Sequence, residues 1–229
     1  MSKEKVKNLK QLNKVTKREG ESGFHGRLYE AQYGVEENSR SEMDTPDFEL
    51  KATKANSNTP TTCFTKAPEY VSGEIKSARD LVNIHGKESA EENKKRLYVS
   101  MRHGAVTGGV YGGFYLESDS DYLYGCHEKG GRLFRWSWLD LGNKAQEKMK
   151  NVRIGTYDDD NSLIDETDYS GFDKRRFFDL IKSGEIKIET RITAKWHGGP
   201  VSKIKDRGTC FRATSATMKK MFTKVKKVS

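Results

Sequence analysis

The stretch Asp44-Thr45-Pro46-Asp47-Phe48-Glu49-Leu50-Lys51 gathers three acids and a lysine in eight residues. From Phe48 to Ala52 apolar and charged residues alternate, so a strand here has Phe48, Leu50 and Ala52 on one face and Glu49 and Lys51 on the other. Side chains two apart on a strand project the same way about 7 Å apart, so Glu49 and Lys51 can address one scissile phosphate. An acid delivered at a Thr45-Pro46 bend would approach Glu49, and two carboxylates with the Leu50 carbonyl offer hard oxygen ligands suited to Mg²⁺, as one ion or two. The ion would lower the pKa of a bound water and neutralise charge on a phosphorane-like transition state. Lys51 would hold that water or help to deprotonate it. Asp44 and Asp47 compete for the leading position. Asp47 shares the strand face of Glu49 and less readily faces it across a metal, which favours Asp44. Glu30, on the preceding helix, is the next acid in reach and would orient Lys51 or bind a second metal through water.

Such residues need a sheet to hold them. Arg27 to Tyr33 between Gly26 and Gly34 lacks strand alternation and predicts a helix stopped by Gly34. Strands are predicted at Leu97 to Met101, at Val110 to Leu116, at Glu185 to Lys195 with Ile186, Ile188 and Ile192 inward, and at Thr209 to Ala213. Trp136 to Lys150 predicts a helix, and Met218, Met221, Phe222 and Val225 predict a closing one. Gly155 to Asp173 carries seven acids and no Lys or Arg and reads as an exposed loop without chemistry. Lys3 to Lys17 spaces Val6, Leu9, Leu12 and Val15 by three among lysines, a basic amphipathic helix or arm within residues 1–22. The elements alternate into an α/β (α+β) fold with a mixed β-sheet core flanked by helices.

Composition narrows the partner. The chain has 229 residues, 42 Lys+Arg against 33 Asp+Glu and a net charge of +9, which points to a polyanion, nucleic acid first. Seven basic residues fall in 1–19 and nine in 202–229, so both ends are cationic. No apolar run reaches the roughly 18 residues that span a bilayer, and the Lys-rich start has no apolar signal core, so an intracellular protein without a membrane partner is expected. Three widely spaced cysteines, Cys63, Cys126 and Cys210, support neither a disulfide framework nor a zinc site. His25, His85 and His127 add no ligand spacing. The glycines of 108–113 lack both phosphate-loop spacings and predict a flexible turn.

Over residues 23–225 the order of motifs resembles the MvaI/BcnI restriction endonuclease family, in the MutH-like branch of the PD-(D/E)xK nucleases. The resemblance is carried by Gly26-x3-Glu30-x3-Gly34-Val35-x-Glu37-Asn38, Pro46-Asp47-Phe48, Glu49-Leu50-Lys51 and Cys63-Phe64-Thr65-Lys66-Ala67-Pro68. It continues through Leu97-Tyr98-Val99, Phe178-x2-Leu180-Ile181-x2-Gly184-x-Ile186 and Arg207-Gly208-Thr209-Cys210-Phe211-Arg212. It implies a PD-(D/E)xK restriction-endonuclease-like fold over a single nuclease domain, 1–229, with two lobes around a DNA cleft as a variant. It also implies a monomeric, Mg²⁺-dependent enzyme that cuts within a short double-stranded DNA sequence, one strand at a time. The family's catalytic set maps onto Asp44 or Asp47, Glu49 and Lys51. Two departures stand out: Asp47 almost abuts Glu49, and Arg207 stands where relatives often carry His.

For DNA binding, Glu189-x-Arg191 resembles the family's Asp-x-Arg element that enters the major groove. Arginine bonds guanine at O6 and N7 and a carboxylate accepts from cytosine N4, so the pair suits a G·C base pair. Lys195, His197, Arg207 and Arg212 fall around the same turn, and Arg102 and His103 at a strand end are further candidates. The leading expectation is a type II restriction endonuclease. The alternatives are a MutH-like repair or phage nicking enzyme and a non-catalytic DNA-binding protein, the last disfavoured because DNA repels Glu49 unless a cation intervenes.

Overall fold

The structure, a computed structural model, describes residues 12, 14–16, 23–35, 43–89 and 92–228, the side chain of Arg207 excepted. Most of the basic arm expected within 1–22, and the Glu37-Asn38 pair, lie outside the described residues. The chain divides into two compact units, one of Met1–Thr61, Gln146–Asp173 and Met218–Ser229, the other of Thr62–Ala145 and Lys174–Thr217. Among the described residues no helix is long and apolar enough to cross a membrane.

The first unit is a four-stranded mixed sheet in the order β1 (Glu49–Lys54), β9 (Asn151–Tyr157), β10 (Leu163–Phe172), β13 (Phe222–Lys227). β1 runs parallel to β9, with Glu49 opposite Val152 and Lys51 opposite Ile154, while β10 is antiparallel to both neighbours. Helix α1 (Phe24–Gln32) lies on the apolar face of β1, where Phe24, Leu28 and Tyr29 bury against Leu50 and Tyr157 and are flanked by Leu12, Val15, Phe48 and Ala52. Its Phe24, Leu28 and Ala31 recur at helical spacing, and the chain leaves it through Gly34 at φ 74. The Tyr29 ring comes so close to β9 that a Cβ on Gly155 would sit 2.6 Å from its Cε2. Its hydroxyl donates to Glu166 Oε1 on β10 at 2.6 Å, which ties the helix across the sheet.

The second unit holds two sheets. One has the order β2 (Thr61–Thr65), β12 (Ser202–Ala213), β11 (Lys187–Lys195), β5 (Lys94–Met101), β4 (Lys87–Ser89); the other is β3 (Glu69–Tyr70), β8 (Gly131–Ser137), β7 (Tyr122–His127), β6 (Phe114–Ser118). As the alternation predicts, Ile186, Ile188 and Ile192 are buried, with Leu97, Val99 and Met101 of β5. Phe64 stacks on Phe211 at 4.8 Å, and Trp136 meets Phe211 edge-on while its indole N–H donates to the Lys66 carbonyl. Helices α2 (Ala78–His85) and α4 (Lys174–Lys182) belong to this unit, α4 burying Phe177, Leu180 and Ile181. α3 (Trp138–Met149) and α5 (Ser215–Lys220) carry the chain from one unit into the other.

Five sequence expectations need correction. Most of the acidic segment 155–173 is no loop but the end of β9 and the whole of β10, because Arg153 pairs with Asp168 and Lys227 with Asp165 across the strands. The closing helix stops at Lys220. Phe222 and Val225 belong to β13, which takes the free side of β10 with Phe222 opposite Phe172. Val110 lies in a 3₁₀ turn, Gly109–Tyr111, and the strand there begins at Phe114. Trp136 lies within β8 and the helix starts at Trp138, and β12 reaches back to Ser202, well before Thr209.

Candidate active site

β1 starts at Glu49, and the residues before it make a tight bend. The Thr45 amide and hydroxyl donate to the Phe48 carbonyl at 3.0 and 2.9 Å, and the Phe48 N–H donates to the Thr45 hydroxyl at 2.9 Å. This closes a loop whose exposed tip is Pro46-Asp47. The bend turns Asp44 back onto the strand, where its Oδ2 accepts from the Leu50 N–H at 2.9 Å. Asp47 therefore lies off the strand, in solvent, with its backbone carbonyl accepting from Asn151 Nδ2 at 3.2 Å. The structure thus gathers Asp44, Glu49 and Lys51 and leaves Asp47 outside the group.

Glu49 is 5% exposed, and a carboxylate so desolvated needs partners. It has two. Lys51 Nζ donates to Oε1 at 2.6 Å and Lys148 Nζ to Oε2 at 2.9 Å. With Asp44 beside them, two acids and two ammoniums balance. Burial, and after it the neighbouring Glu49 carboxylate, push the Asp44 carboxyl above the usual carboxylate range, against the opposing pull of the Leu50 N–H and both lysines. Two crowded carboxylates relieved by a cation are the donor set of a hard divalent ion, and each Glu49 oxygen keeps a lone pair beyond its lysine bond. Among the described residues no group of three or more His, Cys, Asp and Glu side chains forms a complete cage, so the remaining positions would fall to backbone carbonyls and water. Glu30 sits half-buried on α1 in the same unit.

Lys148 escaped the sequence reading, although a signal existed. On α3 the buried positions are Leu141, Gly142, Ala145, Lys148 and Met149, a helical stripe in which one inward residue is a lysine. A lysine on an apolar stripe needs a buried acid, and Glu49 is that acid.

The candidate DNA contacts fall in the second unit. Glu189 and Arg191 share the outward face of β11, but they do not pair with each other: Glu189 Oε2 accepts from Arg212 Nη1 at 2.7 Å, and Arg191 Nη2 donates to the Cys210 sulfur at 2.6 Å. Lys195 and His197 are exposed at the end of β11 and in the turn after it. Arg102 is exposed, whereas His103 is half-buried, bonded through Nε2 to Ser118 Oγ at 3.0 Å and held by burial below its ordinary pKa. The side chain of Arg207 lies outside the described residues.

The model of the MvaI/BcnI restriction endonuclease family matches residues 3–222. The chain belongs to this family. It is accordingly a sequence-specific DNA endonuclease, a hydrolase, and the enzyme reading of the sequence holds over the non-catalytic one. A solved structure described as the restriction endonuclease MvaI–cognate DNA substrate complex superposes with a TM-score of 0.74 at 18% identity, covering 100% of both chains. One described as restriction endonuclease MvaI in the absence of DNA gives 0.54 at 18% identity over 100% of this chain and 99% of the other. At such identity the likeness speaks for the MvaI/BcnI fold. No curated protein matches. Family membership brings divalent-metal dependence in general, with which the paired acids agree.

Proposed function

We propose that this type II restriction endonuclease hydrolyses phosphodiester bonds within a short duplex DNA sequence, as a monomer, with Mg²⁺, through Asp44, Glu49 and Lys51. The observation that carries the reading is the buried Glu49 carboxylate shared by Lys51 and Lys148, with Asp44 folded back against it by the Thr45 bend. The likeness in fold to MvaI in complex with its cognate DNA substrate supports DNA as the substrate here. Asp44 and Glu49, with the Leu50 carbonyl, would hold the ion. When bound, a divalent ion supplies charge neutralisation at the phosphate and acidifies a coordinated water.

The protein's own groups do the rest. Lys148 fixes one oxygen of Glu49, so the carboxylate plane is set before substrate arrives. Lys51, the more exposed of the two lysines, lies at the strand surface, where its ammonium can hold the attacking water and stabilise the phosphate oxygens. Glu30 on α1 would orient Lys51 or a second ion through water. Arg191, Arg212, Lys195, His197, Arg207, Arg102 and His103 are proposed for DNA binding, Arg191 as a reader of guanine, while Glu189 on the same face is bound to Arg212 rather than offered to a base.

Plasmid incubated with the protein in Mg²⁺ should give discrete fragments whose sequenced ends share a short motif, and EDTA should leave it intact. Glu49→Gln and Lys51→Ala should each lower cleavage by on the order of 10³-fold or more while leaving gel-shift binding in place. Normal cutting by both variants would remove this site from consideration.

A further inference from the structure

On the outward face of β11 and β12, Glu189 stands opposite Cys210, and Lys187 opposite Arg212. The register then shifts. Thr190 faces Thr209 but Ile192 faces Asp206, so Arg191 looks across at two residues, Arg207 and Gly208, a β-bulge with Gly208 at φ 76. The Arg191 guanidinium leans onto the Cys210 sulfur at 2.6 Å, and that thiol lies 3.9 Å from the Gly208 carbonyl, toward which it donates. Cys210 is fully buried. Among the described residues no carboxylate pairs with Arg191, and its buried Nε has no partner.

This arrangement is unusual for an arginine with a glutamate two residues away on the same strand face, since such neighbours lie within reach of one another's long side chains. Arg212 prevents the pairing by taking Glu189 Oε2 at 2.7 Å. What remains on Arg191 is a sulfur acceptor, a weak one that fixes direction without cancelling charge. A guanidinium that is to bond a base edge must arrive oriented and un-neutralised, because a pre-formed ion pair would have to be broken at each binding event.

We propose that Cys210 and Arg212 are positioning residues for sequence discrimination: Cys210 aims the Arg191 guanidinium, and Arg212 keeps Glu189 from neutralising it. The inference rests on the reading of Arg191 as a base contact. Neither residue needs to touch the base that Arg191 reads.

The test uses the full-length protein and a library of duplexes randomised around the cleavage motif, digested in Mg²⁺ and scored by the cleavage-rate ratio at each base pair. Arg191→Ala should lose discrimination at one base pair. Cys210→Val, which keeps volume but no acceptor, should lose on the order of tenfold at that same pair with the other positions unchanged, and Cys210→Ser should retain it. Arg212→Ala should lose discrimination there too, and adding Glu189→Gln should restore it, a rescue that a purely structural role for Arg212 would not produce. If Cys210→Val discriminates like the wild type while Arg191→Ala does not, the positioning role of Cys210 is overturned and base reading by Arg191 survives. Absence of rescue by Glu189→Gln overturns the role of Arg212. If Arg191→Ala discriminates normally, both the base contact and the positioning inference fall.

Discussion

Asp44 is the least comfortable acid in the site, its carboxyl pushed up first by burial and then by Glu49. Because its folded-state pKa is raised, the folded protein holds this proton more tightly than the unfolded chain does. Its contribution to stability is therefore present at low pH and is lost as pH rises through the raised value. In EDTA at pH 7, Asp44→Asn should melt above the wild type, and the gap should close as the pH falls to about 4. Mg²⁺ should raise the melting temperature of the wild type and not of Asp44→Asn, since an ion that binds only the folded state stabilises it by mass action. Thermal scans of both proteins in EDTA across that pH range and in Mg²⁺ check all three outcomes. Lys148 behaves oppositely. Lys148→Met strands one side of a buried carboxylate and should cost about 3 kcal/mol in chemical denaturation, along with most of the cleavage rate. The triplet Asp44, Glu49, Lys51 was legible because strand period and acid spacing are local properties. Lys148, 99 residues from Glu49 along the chain, was not, because only the packing of α3 reveals its partner.

Elements formed where one face was plainly apolar. α1, β1 and β11 were readable in kind and place, though α1 starts at Phe24 and takes in Gly26, β1 starts at Glu49 and β11 at Lys187. β10 was not, because its acids from 165 to 168 find their partners on other elements: Arg153 on β9 and Lys227 on β13 pair by charge, and the hydroxyls of Tyr29 and Tyr33 donate to Glu166. β13 failed for a related reason, the unpaired side of β10 outweighing a helical spacing that runs on past Lys220. The helix and the sheet of the first unit meet at Gly155, where the Tyr29 ring fills the space of a side chain. Gly155→Ala should push the ring off β9, weaken its bond to Glu166 and destabilise the protein by about 1–3 kcal/mol, measurable as a lower urea midpoint with unchanged m-value. A midpoint equal to that of the wild type would mean that Tyr29 relocates at no cost.

At the scale of the whole molecule, the net charge of +9 is an affinity device. If about six to ten phosphates are contacted, binding should fall on the order of 10³–10⁵-fold between 50 and 200 mM salt, and the slope of log affinity against log salt should flatten when basic residues of 202–227 are removed. Filter binding across a salt series measures it, and a flat series would place the charge elsewhere than on DNA. Composition announced this partner early, and two lobes stood as a variant, but which segments make up each unit was hidden, because that depends on which distant stretches pack together. Four times the chain passes between the units, at 61/62, 145/146, 173/174 and 217/218. Neither unit is a contiguous gene segment, so a single exchange of one continuous stretch cannot replace either unit whole. A chimera carrying a relative's second unit must therefore be joined at all of these points at once, and each unit's sheet depends on segments that ribosomal synthesis delivers at separate times.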